Sequence, residues 1–429
     1  MRTLVCALGV SAAALAQQRP IALRAARMFD GKSDRLTSPG VVVVAGGKIV
    51  GVGAAAAIPA DAEVIDLGDS TLLPGFIDAH THLSHPYYPD FRQRVIDGER
   101  KTVAEAALDA TEDLRKTLMA GFTTCRDVGS AEFIDIGLRN AVASGKIVGP
   151  RMLVAVKGIG ATGGHCDPGG GTRFGLRPET GVAQGVINSP DEARAAVRFN
   201  LKYGADVIKT CATGGVLSTT DEVDTPQLTQ AELDALVDEA HALRRKTAAH
   251  AHGATGAKRA IRAGIDSIEH GSFLDDEALS MMKAKGTFYV PTLIAGWWIV
   301  QQVDQGKLLL TPAVVGKARA AWGSVGQTFH KAVDTGVRIG FGTDAGVYPH
   351  GMNATEFGLM VEHGMKPLEA LRAATASDAE LLGMADRIGA LEVGKIADVI
   401  AVPGDPVRDI RVTSQVKFVM KEGKVYRRE

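Results

Sequence analysis

Phe76-Ile77-Asp78-Ala79-His80-Thr81-His82 is a short apolar run that ends in two histidines one residue apart. Its start is apolar, as in a strand buried on both faces, while its end is polar. Side chains two apart on a strand share a face, so His80 and His82 point the same way and together can chelate one cation. A doubly wound open sheet predicts a Gly-rich phosphate loop after the first strand. Histidines stand there instead, which directs the reading to a closed parallel barrel with its chemistry at the strand ends. A lone His-x-His fits two hydrogen-bonded core histidines equally well, so the rest of the chain decides.

Working outward, seven more apolar segments follow: Phe122 to Asp127, Met152 to Lys157, Asp206 to Cys211, Thr247 to His250, Ser267 to His270, Phe288 to Thr292 and Arg338 to Asp344. Helix signals separate them. Thr102-Val103-Ala104-Glu105, Ser189-Pro190-Asp191-Glu192 and Thr229-Gln230-Ala231-Glu232 each read as a capping box, and Gly121 and Gly204 close the first two helices. Eight β/α units in series predict an α/β chain with a (β/α)8 TIM-type barrel over 74–389. There is no internal repeat, and Gly158 to Gly171 reads as a mobile barrel loop.

The flanks read differently. Val41 to Val44, a Gly46-Gly47 turn and Lys48 to Gly53 predict a hairpin, and Gly394 to Val402 and Val416 to Met420 predict strands of the same style. A small β-sandwich built by both chain ends, 17–73 plus 390–429, is expected. Before it, Arg2, the apolar run Leu4 to Leu15 and Ala14-Leu15-Ala16 have the layout of a secretory signal over 1–16, which predicts export, periplasmic or secreted; the alternative is a misplaced start codon and a cytoplasmic protein. That run is too short to span a bilayer.

Lys+Arg 48 against Asp+Glu 49 gives a net charge of -1, so no basic excess exists to neutralise nucleic acid or an anionic membrane. With Cys6 in the signal, Cys125, Cys166 and Cys211 are left, an odd and sparse set that predicts no disulfide framework.

Polar residues at the predicted strand ends form a pattern. Lys209 follows Val207-Ile208, where a free ammonium is costly unless it meets an acid or is carboxylated to an anionic ligand able to bridge two cations. His250, His270 and Asp344 end the fifth, sixth and eighth strands. Six candidate ligands on five strands, His80, His82, Lys209, His250, His270 and Asp344, argue jointly for a metal site. His252 lies on the same strand side as His250 and is placed to hydrogen-bond a substrate carbonyl or its oxyanion. His165 and Tyr289 are candidates for a substrate carboxylate. Ser84, His85, Tyr87 and Tyr88 are candidate pocket walls. Val216, Leu217 and Ile294 predict an apolar pocket, and Trp297 and Trp298 are placed either to cover an aromatic acyl group or to pack between helices.

The chain resembles the amidohydrolase superfamily, through Pro74-Gly75-Phe76-Ile77-Asp78-Ala79-His80-Thr81-His82, Gly342-Thr343-Asp344-Ala345-Gly346 and the Leu391 to Asp398 segment. His250-Ala251-His252-Gly253 and Ser267-Ile268-Glu269-His270-Gly271 are similar to the branch of Xaa-Pro dipeptidases and ochratoxin-hydrolysing amidases. The resemblance implies two divalent metals of the zinc type: one on His80, His82 and Asp344, the other on His250 and His270, with N-carboxylated Lys209 bridging them. It also implies Asp344 as the base that takes a proton from water and returns it to the leaving nitrogen. The implied substrate is an amide of a C-terminal amino acid, such as a dipeptide, an N-acyl amino acid or ochratoxin A. Relatives often form homo-oligomers.

Two rivals remain at this stage. Cyclic-amide hydrolases, of hydantoin, dihydropyrimidine or imidazolone type, share the ligand set. Deaminases of this fold lack the strand-four lysine and carry a Glu shortly after the strand-five histidine, where this chain has Gly253-Ala254-Thr255. A non-catalytic barrel scaffold would not need all six ligand types.

Overall fold

The computed structural model describes residues 19–429, so the expected signal over 1–16 lies outside the described residues. Eight strands appear where the sequence predicts them: Phe76–Thr81, Phe122–Asp127, Arg151–Val154, Val207–Cys211, Lys246–Gly253, Ser267–Phe273, Phe288–Val290 and Arg338–Ile339. Here they are the first to the eighth. The first three pair in parallel in one sheet, and the fourth to the eighth pair in parallel in another.

Single hydrogen bonds carry the pattern across the gaps. Asp206 N donates to Val154 O at 2.8 Å, Ala79 N to Phe341 O at 2.8 Å and Asp344 N to His80 O at 2.7 Å. The eighth segment thus runs on beside the first after its regular pairing ends at Ile339.

The third strand departs from expectation. It stops at Val154, turns through Val156 in a left-handed conformation (φ 70°) and resumes as Gly158–Ala161, which pairs with the fourth strand. Asp135 holds the break by accepting Val156 N at 2.9 Å. The segment from Gly158 is therefore strand before it is loop. Asp167 then ties the loop inward by accepting from Gly163 N, Gly169 N and Thr180 Oγ1, each at 2.8 Å.

Helices fill the intervals. Thr102 and Thr229 form complete capping boxes with Glu105 and Glu232. Ser189 caps Pro190–Lys202, but Glu192 accepts from Asn188 N at 2.6 Å, so the predicted box is only half made. Each side-chain cap supplies ~1 kcal/mol by satisfying an otherwise unpaired helix N–H. Below the site, Phe76, Phe122, Phe341 and Phe357 pack ring against ring, with centroids 4.4 to 5.7 Å apart. This fully buried cluster fixes the first, second and eighth strands relative to one another.

Residues near both ends of the described chain form two further sheets. The hairpin Gly40–Ala45 with Lys48–Val52 joins Ile21–Ala25 and Glu63–Asp66 in one. Val399–Pro403 pairs with Ser70–Pro74 in the other, beside Phe418–Lys421 and Lys424–Arg428. Leu23, Val42, Ile49, Leu72, Val399, Phe418 and Met420 share one buried cluster drawn from both sheets. The predicted strand Gly394 to Val402 is regular only from Val399, because Gly394 to Ile396 is occupied in loop hydrogen bonds to Ile49 and Arg387. No helix among the described residues is long and apolar enough to cross a membrane.

Candidate active site

The strand ends open into a cavity of about 700 Å³ lined by His80, His82, Lys209, His250, His252, His270 and Asp344. Their rings crowd together: His80 and His270 lie 4.8 Å apart, His250 and His270 4.7 Å, and His252 and His270 5.0 Å. His80, His82 and Asp344 offer ligand atoms all within 4.8 Å of one another.

Each imidazole has one nitrogen engaged in a way that aims the other. His80 Nδ1 meets Glu269 Oε2 at 2.8 Å and His82 Nδ1 meets Gly129 O at 3.0 Å. Their Nε2 atoms converge on Asp344 Oδ1 at 3.5 and 3.3 Å. His270 Nδ1 meets Thr292 Oγ1 at 2.7 Å, which leaves Nε2, and His250 Nε2 meets Gly214 O at 2.9 Å, which leaves Nδ1. Anchoring the outer nitrogen is how proteins fix tautomer and ring orientation at metal sites. The donors fit divalent metals of the zinc type, since neutral imidazoles and a carboxylate present unshared pairs toward one point.

Burial sets the protonation. It pulls His80 down to about 4 and, with the crowding of neighbouring imidazoles and then Lys209, keeps His250 and His270 well below the usual imidazole range. Glu269 is fully buried; burial raises its carboxyl, but Arg126 at 2.8 Å, then His80, bring it to about 2. Burial lowers the Lys209 ammonium to about 8 against the opposing pull of Glu269 and Asp344. Lys209, 4% exposed, makes no side-chain hydrogen bond or ion pair among the described residues.

The backbone at three of these strand ends is strained. His270, Thr292 and Asp344 have φ of 68°, 50° and 61°. Non-glycine residues there cost on the order of 1–3 kcal/mol each and persist only where the surroundings overdetermine them. Glu356 does so for Thr292 by accepting Leu293 N at 2.9 Å and Ile294 N at 2.7 Å.

The outer candidates divide. His165 lines the cavity and stacks on His250 at 4.2 Å, and His85 lines it stacked on His82 at 5.4 Å. His252 lines it with Nδ1 on Ser272 Oγ at 2.9 Å. Val216 and Leu217 line it and pack against Ile299 and Ala318. Tyr289 does not reach it: the ring is fully buried and its hydroxyl donates to His270 O at 2.9 Å, because an alternate position on a strand faces the opposite side. Ser84 is likewise buried against Ser130 Oγ at 2.8 Å and outside the lining. Ile294 is core, Trp298 packs edge-on to Tyr87 at 5.9 Å and Trp297 packs beside it, while Trp322 is the tryptophan in the cavity wall. Tyr87 and Tyr88 line a smaller adjoining recess.

The cysteine reading is corrected too. Cys166 and Cys211 form a disulfide with Cα atoms 5.8 Å apart, leaving Cys125 as the buried free thiol among the described residues. Spacing alone does not reveal pairing across 45 residues. Sequence reasoning also missed Glu269 and Arg126, whose signal was a charged residue inside a predicted buried strand. It missed Lys317, whose Nζ donates to the carbonyls of Gly215 and Ser218 at 2.7 Å and of Asp221 at 3.0 Å, holding the loop that bears Val216 and Leu217.

Known proteins place this constellation. Residues 71–426 match the amidohydrolase family. The ochratoxinase of Aspergillus niger is 34% identical over 378 residues, spanning 83% of this chain and 75% of the relative. A crystal structure of a Xaa-Pro dipeptidase with methionine bound in the active site superposes with a TM-score of 0.88 at 41% identity, over 95% of this chain and 100% of that one. More distant is the imidazolonepropionase of Deinococcus radiodurans, 26% identical over 428 residues, 93% of either chain. The chain belongs to the amidohydrolase family, in its Xaa-Pro dipeptidase and ochratoxinase-like branch, and is a hydrolase of amide bonds.

Proposed function

We propose that the protein is a binuclear metalloenzyme that releases a C-terminal amino acid from a dipeptide or N-acyl amino acid, ochratoxin A included. In this reading residues 74–389 close into a (β/α)8 barrel, and 17–73 with 390–429 form a small β-sandwich beside it. The observation that carries the proposal is the convergence of four anchored imidazoles and Asp344 around an unpaired Lys209 in one cavity.

A lysine partly neutral near pH 8 is the nucleophile that carbon dioxide needs to form a carbamate, so Lys209 is assigned as the N-carboxylated bridge. His80, His82 and Asp344 would hold one metal, His250 and His270 the other. Two such ions, zinc by donor type, would supply hydroxide at neutral pH by acidifying a bound water to a pKa of ~7. Asp344 takes the proton of the attacking water and delivers it to the leaving nitrogen, which departs as an amine only once protonated. His252, kept neutral by burial and oriented by Ser272, donates to the carbonyl oxygen as negative charge develops there. His165 and His85 are assigned to the substrate's polar groups, and Val216 and Leu217 to its apolar side chain. The disulfide supports export, since such bonds persist in oxidising compartments. A homo-oligomer is part of the same reading.

The test is a panel of dipeptides, N-acyl amino acids and ochratoxin A on zinc-loaded protein, with hydantoin and dihydropyrimidine alongside. Hydrolysis of the amino-acid amides alone supports the proposal. Turnover confined to the cyclic amides would favour the second reading, to which the imidazolonepropionase similarity lends weight.

A further inference from the structure

The Cys166–Cys211 bridge lies in the cavity wall. Cys211 stands two residues beyond Lys209 on the fourth strand, and Cys166 directly follows His165. The bond therefore fastens the loop that carries His165 to the strand that carries Lys209. On its other side His165 is held by weaker ties: its backbone N donates to Gln227 Oε1 at 2.9 Å, and Nδ1 meets Ser218 Oγ at 3.1 Å. Ser218 in turn donates to Asp221 Oδ1 at 2.6 Å, under the Lys317 clasp. The surrounding backbone leaves room for this arrangement and little else. A Cβ on Gly158 would sit 2.7 Å from Cys166 Sγ, and one on Gly215 would sit 2.2 Å from the His165 ring.

We infer that the Cys166–Cys211 disulfide is a positioning element for His165, holding its imidazole over His250 where it meets the substrate's carboxylate, and that a small dithiol entering the cavity releases it. The inference rests on the assignment of His165 to the substrate's polar groups, narrowed here to its carboxylate. On reduction the sulfur–sulfur bond breaks and each cysteine becomes a thiol; the dithiol gives up two electrons and two protons and is oxidised to its own disulfide. With the bond gone, the direct tie to the fourth strand is lost, and His165 is left with its two hydrogen bonds, its stacking on His250 and the Asp167 ties within its own loop. Both cysteines line the cavity, so the bond is reachable by the route the substrate takes.

The experiment compares an N-acyl amino acid with its C-terminal carboxamide on zinc-loaded enzyme, oxidised or reduced with a phosphine, which avoids the zinc chelation of dithiols. Reduction is expected to raise KM for the free carboxylate about tenfold while kcat changes less and the carboxamide is indifferent, the pattern of lost ground-state binding. Reoxidation restores KM, and the Cys166→Ser/Cys211→Ser protein shows the high KM without responding to phosphine. Thiol titration in denaturant gives two more thiols after reduction. The inference falls if KM is unmoved, if the carboxamide suffers equally, or if both thiols are free beforehand. Should no amide be hydrolysed, the substrate reading fails separately. Protease cleavage within 163–180 then decides the bridge, because reduction must accelerate it and an unchanged rate overturns the inference.

Discussion

The floor of the cavity and its walls are built on different principles. The floor is made of residues at strand ends, and its imidazoles are held from behind: His80 by Glu269, His82 by Gly129, His270 by Thr292. The walls come from loops and helices beyond the strands. One side is polar, with Glu132, Lys157, His165 and Arg177; the other, carried by Leu293–Asp304 and Pro312–Thr335, is apolar, with Ile299, Ala318, Trp322 and Val325. A floor so constrained suits chemistry common to all substrates, whereas walls on separate elements can change without disturbing it. Substitutions in the floor should lower turnover for every substrate alike, and substitutions in the walls should change which substrate is taken.

The sharpest test of the floor is Lys209→Ala. Loss of the proposed bridging ligand is expected to cut kcat by about 10³-fold or more on every active substrate. Steady-state kinetics check it, and a loss confined to one substrate class would break the division. Next comes Glu269→Gln, which removes the charge behind His80 and leaves Arg126 without its buried partner. Metal affinity, read by competition with a chromogenic chelator, should fall about 10–100-fold, and excess zinc should restore part of the activity. For the wall, Trp322→Ala should lower kcat/KM for amides with aromatic side chains about tenfold, by weakening apolar contact, and spare alanyl substrates.

The smallest effect concerns acid. His80 titrates near 4 in the folded protein against 6.5 in the free side chain, so between these values the unfolded chain binds a proton that the native state refuses. Stability is then fully present above pH 6.5 and lost as pH falls through 4, and Glu269, depressed from 4.5 to about 2, extends the loss below that. Urea midpoints of metal-free protein across this range should decline steadily; a flat profile would show that the buried floor does not govern acid stability.

This division also decides what was legible in the sequence. That His80, His82, Lys209, His250, His270 and Asp344 would meet in one cavity could be read because polar residues at the ends of predicted strands stand out against the period of a buried strand. Glu269 sat in full view beside His270, but its pairing with His80, 189 residues away, is a product of the folded chain and leaves no local trace. Tyr289 was misplaced because a shift of one residue turns a strand side chain to the opposite face. The walls were least legible. Trp322 was hidden in a long helix pattern while Trp297 and Trp298, nearer the seventh strand, drew the attention, and the disulfide joins two loops whose meeting only the folded chain defines.

Asp344 carries its left-handed backbone at the same residue that bears the assigned proton carrier. Its replacements are consequently unequal as controls. Asparagine tolerates that conformation nearly as well as aspartate, so Asp344→Asn should isolate the chemistry. Alanine there sacrifices the carboxylate and fights the main chain together, and glycine relaxes the main chain but frees it to wander, so either variant would mix a chemical deficit with a conformational one.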